Sequence, residues 1–408
     1  MMQKILAATL FVGAAAIVSS NFVLADDKEK VVKPDSVTVA AGDSPSLKFD
    51  AKGHLHVAFG RAGKDASGNQ SSDVFITESE DGGKTWSAPV QISEALGRSS
   101  HPSLFVEKSG ALDVAWSSGD GDPDVYFSRS TDGGKTWAKP VDVSNTPGSS
   151  TEPALAASSD GTLHMVWCDT SKGARNKDVY YSYSKDLGKT WGKDPLQPAE
   201  DISNTPGVSS EPQVVVDDED SVHVAWTDST PGQTRPDIFY SSLSAGSNSS
   251  GNGKWTKPVD LSDNTRISSH PGIATGPNGK VYLVWSDSSK ELHLADVWCM
   301  VGDHGKFGKQ QNVSNTAGVS TQPCISGDDT GRVVISWSDT SIEYNRPEVY
   351  IRTSRDKCAN LSHITDMSNT QGSSKNAHVV INKDRLYVIW EEDDERSGTH
   401  LMLSSTEF

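Results

Sequence analysis

The sequence predicts an all-β fold: a seven-bladed β-propeller of four-stranded blades, with the last blade closed by the N-terminal strand. Three observations carry this expectation. First, Ser79-Glu80-Asp81-Gly82-Gly83-Lys84-Thr85-Trp86 returns nearly unchanged as Ser130-Thr131-Asp132-Gly133-Gly134-Lys135-Thr136-Trp137, and again as Ser184-Lys185-Asp186-Leu187-Gly188-Lys189-Thr190-Trp191. A motif returning every 51 to 54 residues marks a repeat array. Second, a short apolar run ends in an aromatic residue at Phe59, Trp116, Trp167, Trp226, Trp285, Trp337 and Trp390, giving seven copies. Third, the last copy, residues 376–407, has room for three strands only, while residues 35–39 offer a spare one. Lending that strand to the last blade would lock the ring and remove a free sheet edge.

The elements follow in chain order. Residues 1–25 read as a signal peptide: Lys4 is a short positive region, residues 5–18 are apolar, and Val23-Leu24-Ala25 fits a small-residue cleavage site. The mature chain is expected to start near Asp26, to be secreted or periplasmic, and to form one propeller domain over residues 26–408. The apolar run is short for a spanning helix, which needs about 20 residues. Each repeat opens with a Ser-x-x-Pro lead-in such as Ser150-Thr151-Glu152-Pro153. Proline is tolerated there because the first residue of a strand need not donate to the ladder. A polar turn such as Ser159-Asp160-Gly161 leads to the second strand, which ends at the aromatic. A variable loop precedes the third strand, typified by Asp178-Val179-Tyr180-Tyr181-Ser182, and the octapeptide turns into the fourth. Alternating apolar and polar residues between Gly, Asn and Asp turns are strand and hairpin signals. Four-stranded units of this length suit propeller blades.

A net charge of −17 argues against nucleic acid and anionic membranes as partners, and also keeps a chain soluble. Cys168, Cys299, Cys324 and Cys358 match no zinc spacing. Export permits disulfides. If one forms, Cys299 with Cys324 in neighbouring repeats is the expected pair; buried free thiols are the alternative.

Strand direction locates the candidate site. The start of strand one and the end of strand two share one face of a propeller, and the octapeptide turns lie on the other. The residues before the lead-in prolines are His101, Glu152, Glu211, His270 and Gln322, with Asn376 in the last copy. Two residues after the tryptophans stand Asp169, Asp228, Asp287 and Asp339. Together they are expected to ring the mouth of the central channel, where His, Glu and Asp can hold sugar hydroxyls, do acid–base work or take a divalent cation. Loop capping is the structural alternative for the aspartates. Glu152 and Glu211 on adjacent blades are candidate catalytic carboxylates. Arg61, Arg175, Arg235 and Arg346 lie on loops of the same face and suit an anionic group. The last three also stand just before Asp178, Asp237 and Glu348, where a local ion pair would occupy them.

The octapeptide resembles the Asp-box, or BNR repeat, of the sialidase superfamily. Degraded copies stand at residues 303–307 and 253–255, and a remnant at 354–356. The aspartate is expected to accept backbone N–H groups inside the turn, and Trp86, Trp137 and Trp191 to be buried. The resemblance implies a sialidase-type site: three arginines gripping a sugar carboxylate, a Tyr/Glu nucleophile pair and an Asp acid/base. Arg61 and Asp65 match the second arginine and acid/base region, and Glu343-Tyr344 with Arg346 resembles the nucleophile neighbourhood. The chain departs from the pattern at Asp43-Ser44-Pro45, where sialidases carry Arg-Ile-Pro. The expected function is therefore noncatalytic recognition of a glycan or protein at the channel mouth. The alternative is a divergent sialidase-like glycoside hydrolase or lyase using carboxylates of the same face. A cell-envelope assembly factor is a third reading.

Overall fold

Seven antiparallel sheets stand in a ring, each built from a repeat whose strands pair in chain order. The computed structural model describes residues 35–64, 67–93, 97–173, 177–192, 199–229, 235–245, 254–263, 267–291, 294–341, 346–370 and 372–408. No helix is present among them. Blade 3 is representative: Ser150–Ala157 lies innermost, followed by Leu163–Asp169, Asp178–Ser184 and the short outer strand Glu200–Asp201. Blade 1 begins at Asp43–Phe49. Blade 7 comprises Ser373–Asn382, Arg385–Asp394 and Gly398–Glu407, and takes its fourth strand from Ser36–Ala41. That strand pairs antiparallel with Gly398–Glu407, Val37 opposite Leu403, so the two chain ends share one blade as expected.

The core lies between blades. Each of seven apolar clusters joins the facing surfaces of two neighbouring sheets; the one sealing the ring joins Leu47, Leu55 and Phe59 of blade 1 to Tyr387, Ile389 and Leu403 of blade 7. The aromatics ending strand two, Phe59 and the six tryptophans, are fully buried. Five of them stack on the aromatic opposite in strand three, as Trp167 does on Tyr180 at 6.3 Å and Trp226 on Phe239 at 6.1 Å, while Trp390 faces Met402. The strong periodicity of this position thus has a packing cause.

The octapeptide turns also behave as scaffold. Asp132 Oδ1 accepts Lys135 N (3.1 Å) and Thr136 N (2.9 Å), while Oδ2 accepts Thr136 Oγ1 (2.6 Å). Led by the Thr136 hydroxyl, these donors hold the Asp132 carboxyl down at about 2. Each tryptophan donates its indole N–H to the carbonyl three residues back, at 3.1–3.2 Å. Trp191 is buried, but Trp86 and Trp137 are only half-buried, which corrects the expectation that all three are core residues. The cysteine pairing is corrected too. All four thiols are free, and Cys299 hydrogen-bonds Cys358 of the next blade rather than meeting Cys324.

Candidate functional site

The mouth is built by one backbone device repeated seven times. In every innermost strand the pairing register slips within the first few residues, as between Thr151 and Ala154 and between Ser210 and Gln213. The residue at the slip has a left-handed backbone: Ser44 (φ 50°), His101 (52°), Glu152 (58°), Glu211 (56°), His270 (55°), Gln322 (52°) and Asn376 (50°). A bulge re-aims a side chain and takes an N–H out of the ladder. A left-handed conformation costs a non-glycine residue about 1–2 kcal/mol. Because all seven blades share this geometry, it belongs to the scaffold. What differs from blade to blade is the side chain it presents at the mouth.

Three of the freed N–H groups are taken up by carboxylates of the preceding blade. Glu152 Oε2 accepts Glu211 N at 2.6 Å, and Glu211 Oε2 accepts His270 N at 2.7 Å. Glu391 Oε1 likewise accepts Ser44 N at 2.8 Å, together with Asn376 Nδ2 at 2.9 Å. Glu152 receives a further charged donor, Lys177 Nζ, at 2.6 Å on Oε1. Burial opposes ionisation of Glu152, but the Lys177 charge and hydrogen bond and the Glu211 N–H outweigh it, holding the carboxyl below its usual range. Glu391 has no such cation close enough to prevail, and burial pushes it up. Glu211 also accepts Thr227 Oγ1 (2.9 Å), and its Oε1 lies 3.4 Å from His270 Nε2. His270 and Glu211 keep 41% and 33% of their side chains exposed, so this pair can meet a ligand. His101 is exposed and Gln322 half-buried at the same position. Cys168 is buried beside Glu152, and burial together with that carboxylate raises its thiol well above the ordinary value, which disqualifies it as a nucleophile.

A seven-blade ring carrying Asp-box turns on one face and varied polar residues on the other matches, over residues 19–283, the family described as BNR repeat-like domain. The chain belongs to that family. It is a BNR propeller of the sialidase superfamily, similar over 143 residues, at 31% identity, to a sialidase of Bacteroides fragilis (strain YCH46). That match covers 30% of this chain and 23% of the sialidase, so the chain spans less than a quarter of that relative. Among solved structures, a polysaccharide lyase described as an ulvan lyase superposes with a TM-score of 0.58 at 10% identity, over 90% of this chain and 95% of the lyase. An α-L-arabinanase of Penicillium chrysogenum complexed with arabinobiose superposes with a TM-score of 0.55 at 14% identity, over 92% and 98%. At such identities the likeness shows the fold.

Within this BNR propeller the sequence-selected residues separate into three groups. His101, Glu152, Glu211, His270 and Gln322 hold the same left-handed position at the register slip of the innermost strand in blades 2 to 6. The four aspartates after the tryptophans do not join them. Asp169, Asp228, Asp287 and Asp339 are at most 3% exposed. Asp169 Oδ2 accepts Thr146 Oγ1 (2.8 Å), Ser150 Oγ (2.9 Å) and Trp167 Nε1 (3.2 Å); Asp339 is bonded the same way. Asp169, Asp228 and Asp339 spend their capacity tying the lead-in loop to strand two, and Asp287 is buried at the same place, which corrects their assignment as ligand-binding groups. Of the arginines, Arg61 stacks its guanidinium on Phe75, 3.6 Å from the ring centroid, and Arg235 and Arg346 are half-buried. Asp65, Arg175, Glu343 and Tyr344 lie outside the described residues. Among the described residues, donors gather closely enough for a metal ion at His54, Glu78 and Glu80, on the opposite face, and not at the mouth.

Two mouth residues escaped sequence reasoning. Lys177 sits just before the third strand of blade 3, in a loop whose length varies between repeats. Glu391 directly follows Trp390, one place before the buried Glu392 that replaces the usual aspartate. An acid at that place, where Cys168 and Thr227 stand in other blades, was the available signal.

Proposed function

We propose that this propeller binds a glycan at the channel mouth without cleaving it, through His101, Glu211, His270 and Gln322. The observation that carries this reading is how the two central glutamates are engaged. Both hold the N–H of the next blade, and Glu152 is kept ionised by Lys177. A glycosidase needs one carboxyl that carries a proton and one that does not; Glu152 is held ionised, and both carboxyls are engaged by backbone N–H groups of the next blade. Imidazole, carboxylate and amide groups at one rim suit sugar hydroxyls, which both donate and accept. The relatives' described ligands, arabinobiose and an ulvan-type saccharide, support a saccharide as the ligand class. The leader read in residues 1–25 supports an exported protein whose propeller domain runs over residues 26–408. N-terminal sequencing of the secreted product, expected to begin at Asp26, checks that part.

One observation favours the hydrolytic alternative: the Glu211–His270 pair is accessible and can shuttle a proton. A glycan array run beside a panel of fluorogenic glycosides on the mature protein separates the two. Binding without turnover is the expected result. Turnover abolished by Glu211→Gln would replace this reading with the hydrolase.

A further inference from the structure

The octapeptide remnant of blade 6 departs from the other turns at one residue, and the blade it faces departs with it. The turn itself is intact: Asp356 Oδ1 accepts Asn360 N at 2.8 Å, and Cys358 N donates to Ser354 Oγ at 3.0 Å. Gly83, Gly134 and Gly188 donate in the same way to Ser79, Ser130 and Ser184, at 2.8–2.9 Å. Cys358 therefore stands where these turns carry glycine. Its φ is 64°, a left-handed backbone that favours glycine, so the cysteine is held there against local preference.

The repeat shows what that side chain meets. A Cβ added at Gly83, Gly188 or Gly305 would overlap Leu403, Phe127 or Tyr240, and one at Gly134 would touch Ile76 at 3.6 Å. Each of those neighbours lies in strand three of the preceding blade, opposite the residue before the buried aromatic. Cys299 holds that place in blade 5, opposite Val284. At the seam between blades 5 and 6 a large residue is thus replaced by cysteine on one side and a glycine by cysteine on the other. The two thiols lie in one apolar cluster, each 2% exposed. Cys168 lies beside Glu152 instead, and Cys324 is half-buried in the innermost strand of blade 6.

We propose that Cys299 and Cys358 are joined by a disulfide that staples blade 5 to blade 6 in the oxidised protein, the oxidant being another disulfide, of a small thiol or of an oxidoreductase. An exported chain meets such oxidants. The reduced pair is poised for the exchange. The Cys358 S–H donates to Cys299 and, with the Arg352 charge nearby, holds the Cys299 thiol below its ordinary value against burial; the same contact and burial push Cys358 up. The Cys299 thiolate displaces one thiolate from the oxidant as the seam forms, giving a mixed disulfide. Cys358 then gives up its proton and attacks the Cys299 sulfur, releasing the second thiolate. Two protein thiols are oxidised to one disulfide, the oxidant's disulfide is reduced to two thiols, and the two protons pass to the departing thiolates. Burial then shields the finished bond from reductants.

The test compares the full chain exported to a bacterial periplasm, which is oxidising, with the same chain made in a reducing cytoplasm. Free thiols are alkylated in denaturant without reductant, and the peptides are mapped by mass spectrometry. The exported protein is expected to give one linked pair, Cys299 with Cys358, and alkylated Cys168 and Cys324. Cross-linking a loop of about 60 residues should raise its Tm above that of the reduced protein by about 5 °C. Cys358→Gly restores the residue of the other turns and needs no left-handed cysteine, so it should fold, give no linked peptide and melt alike from both compartments. Four alkylated cysteines in the exported protein, a linkage through Cys168 or Cys324 in place of this pair, or a compartment-dependent Tm retained in Cys358→Gly would overturn the proposal.

Discussion

Replacing Asp228 with alanine separates a scaffold role from a ligand role at the channel mouth. Asp228 Oδ2 accepts Thr205 Oγ1 (2.7 Å), Ser209 Oγ (2.8 Å) and Trp226 Nε1 (3.3 Å). Ser209 and Trp226 are fully buried, so Asp228→Ala strands two donors away from water, while half-buried Thr205 can find a solvent partner. Leaving a buried donor unpaired costs about 1–3 kcal/mol, which sums to about 2–6 kcal/mol for the two. With an unfolding entropy of about 2.1 cal/mol/K per residue, the ring of residues 35–408 should lose about 3–8 °C in Tm. Asp228→Asn keeps an acceptor oxygen and should lose less than half of that. Differential scanning calorimetry on the three proteins reads the outcome. A Tm for Asp228→Ala indistinguishable from that of the unsubstituted protein would refute the reasoning and return this aspartate to the candidate ligand set.

The octapeptide tryptophans should not be equivalent. Trp191→Ala, at a site packed edge-on to Phe127 at 5.3 Å, should cost about 3–5 kcal/mol in urea melts, and half-buried Trp86 or Trp137 about half as much; equal losses at all three would count against the packing account. Deleting residues 36–41 bares the edge of Gly398–Glu407, so the variant should melt lower and self-associate in light scattering. A monomer of unchanged Tm would contradict the closure. Burial pushes His164 down to about 4, against about 6.5 in an unfolded chain. The neutral folded form is then favoured above pH 6.5, and that stabilisation, about 3 kcal/mol, is lost as pH falls from 6.5 through 4. An imidazole resonance for His164 titrating near pH 6.5 would contradict it.

The fold was legible because its determinants recur in step: a large aromatic must fill the space between blades once per repeat, and seven of them stand in register. The spare strand before Ser44 was legible for the same reason, since only the last repeat lacked one. The site was legible only in outline. The position of His101, Glu152, Glu211 and His270 follows from strand direction, but their left-handed backbone does not, because no glycine marks it. Asp169 and its counterparts were misplaced because their partners sit 19 and 23 residues earlier in the chain. A signal was present. Ser144-Asn145-Thr146 returns as Ser203-Asn204-Thr205 and Ser314-Asn315-Thr316, in step with the aspartates those threonines bond. The Lys177–Glu152 contact spans a loop of irregular length, and no periodicity points to it.

The most direct test of glycan recognition at the mouth is the affinity of an array-identified glycan for the unsubstituted protein and for Glu211→Gln/His270→Ala, measured by titration calorimetry at matched Tm. Glutamine keeps an acceptor for the His270 N–H, so the ring should stay closed while the accessible charge and imidazole are lost. The account predicts at least a tenfold loss of affinity. Undiminished affinity in the folded double variant would contradict it and move the site away from the channel mouth.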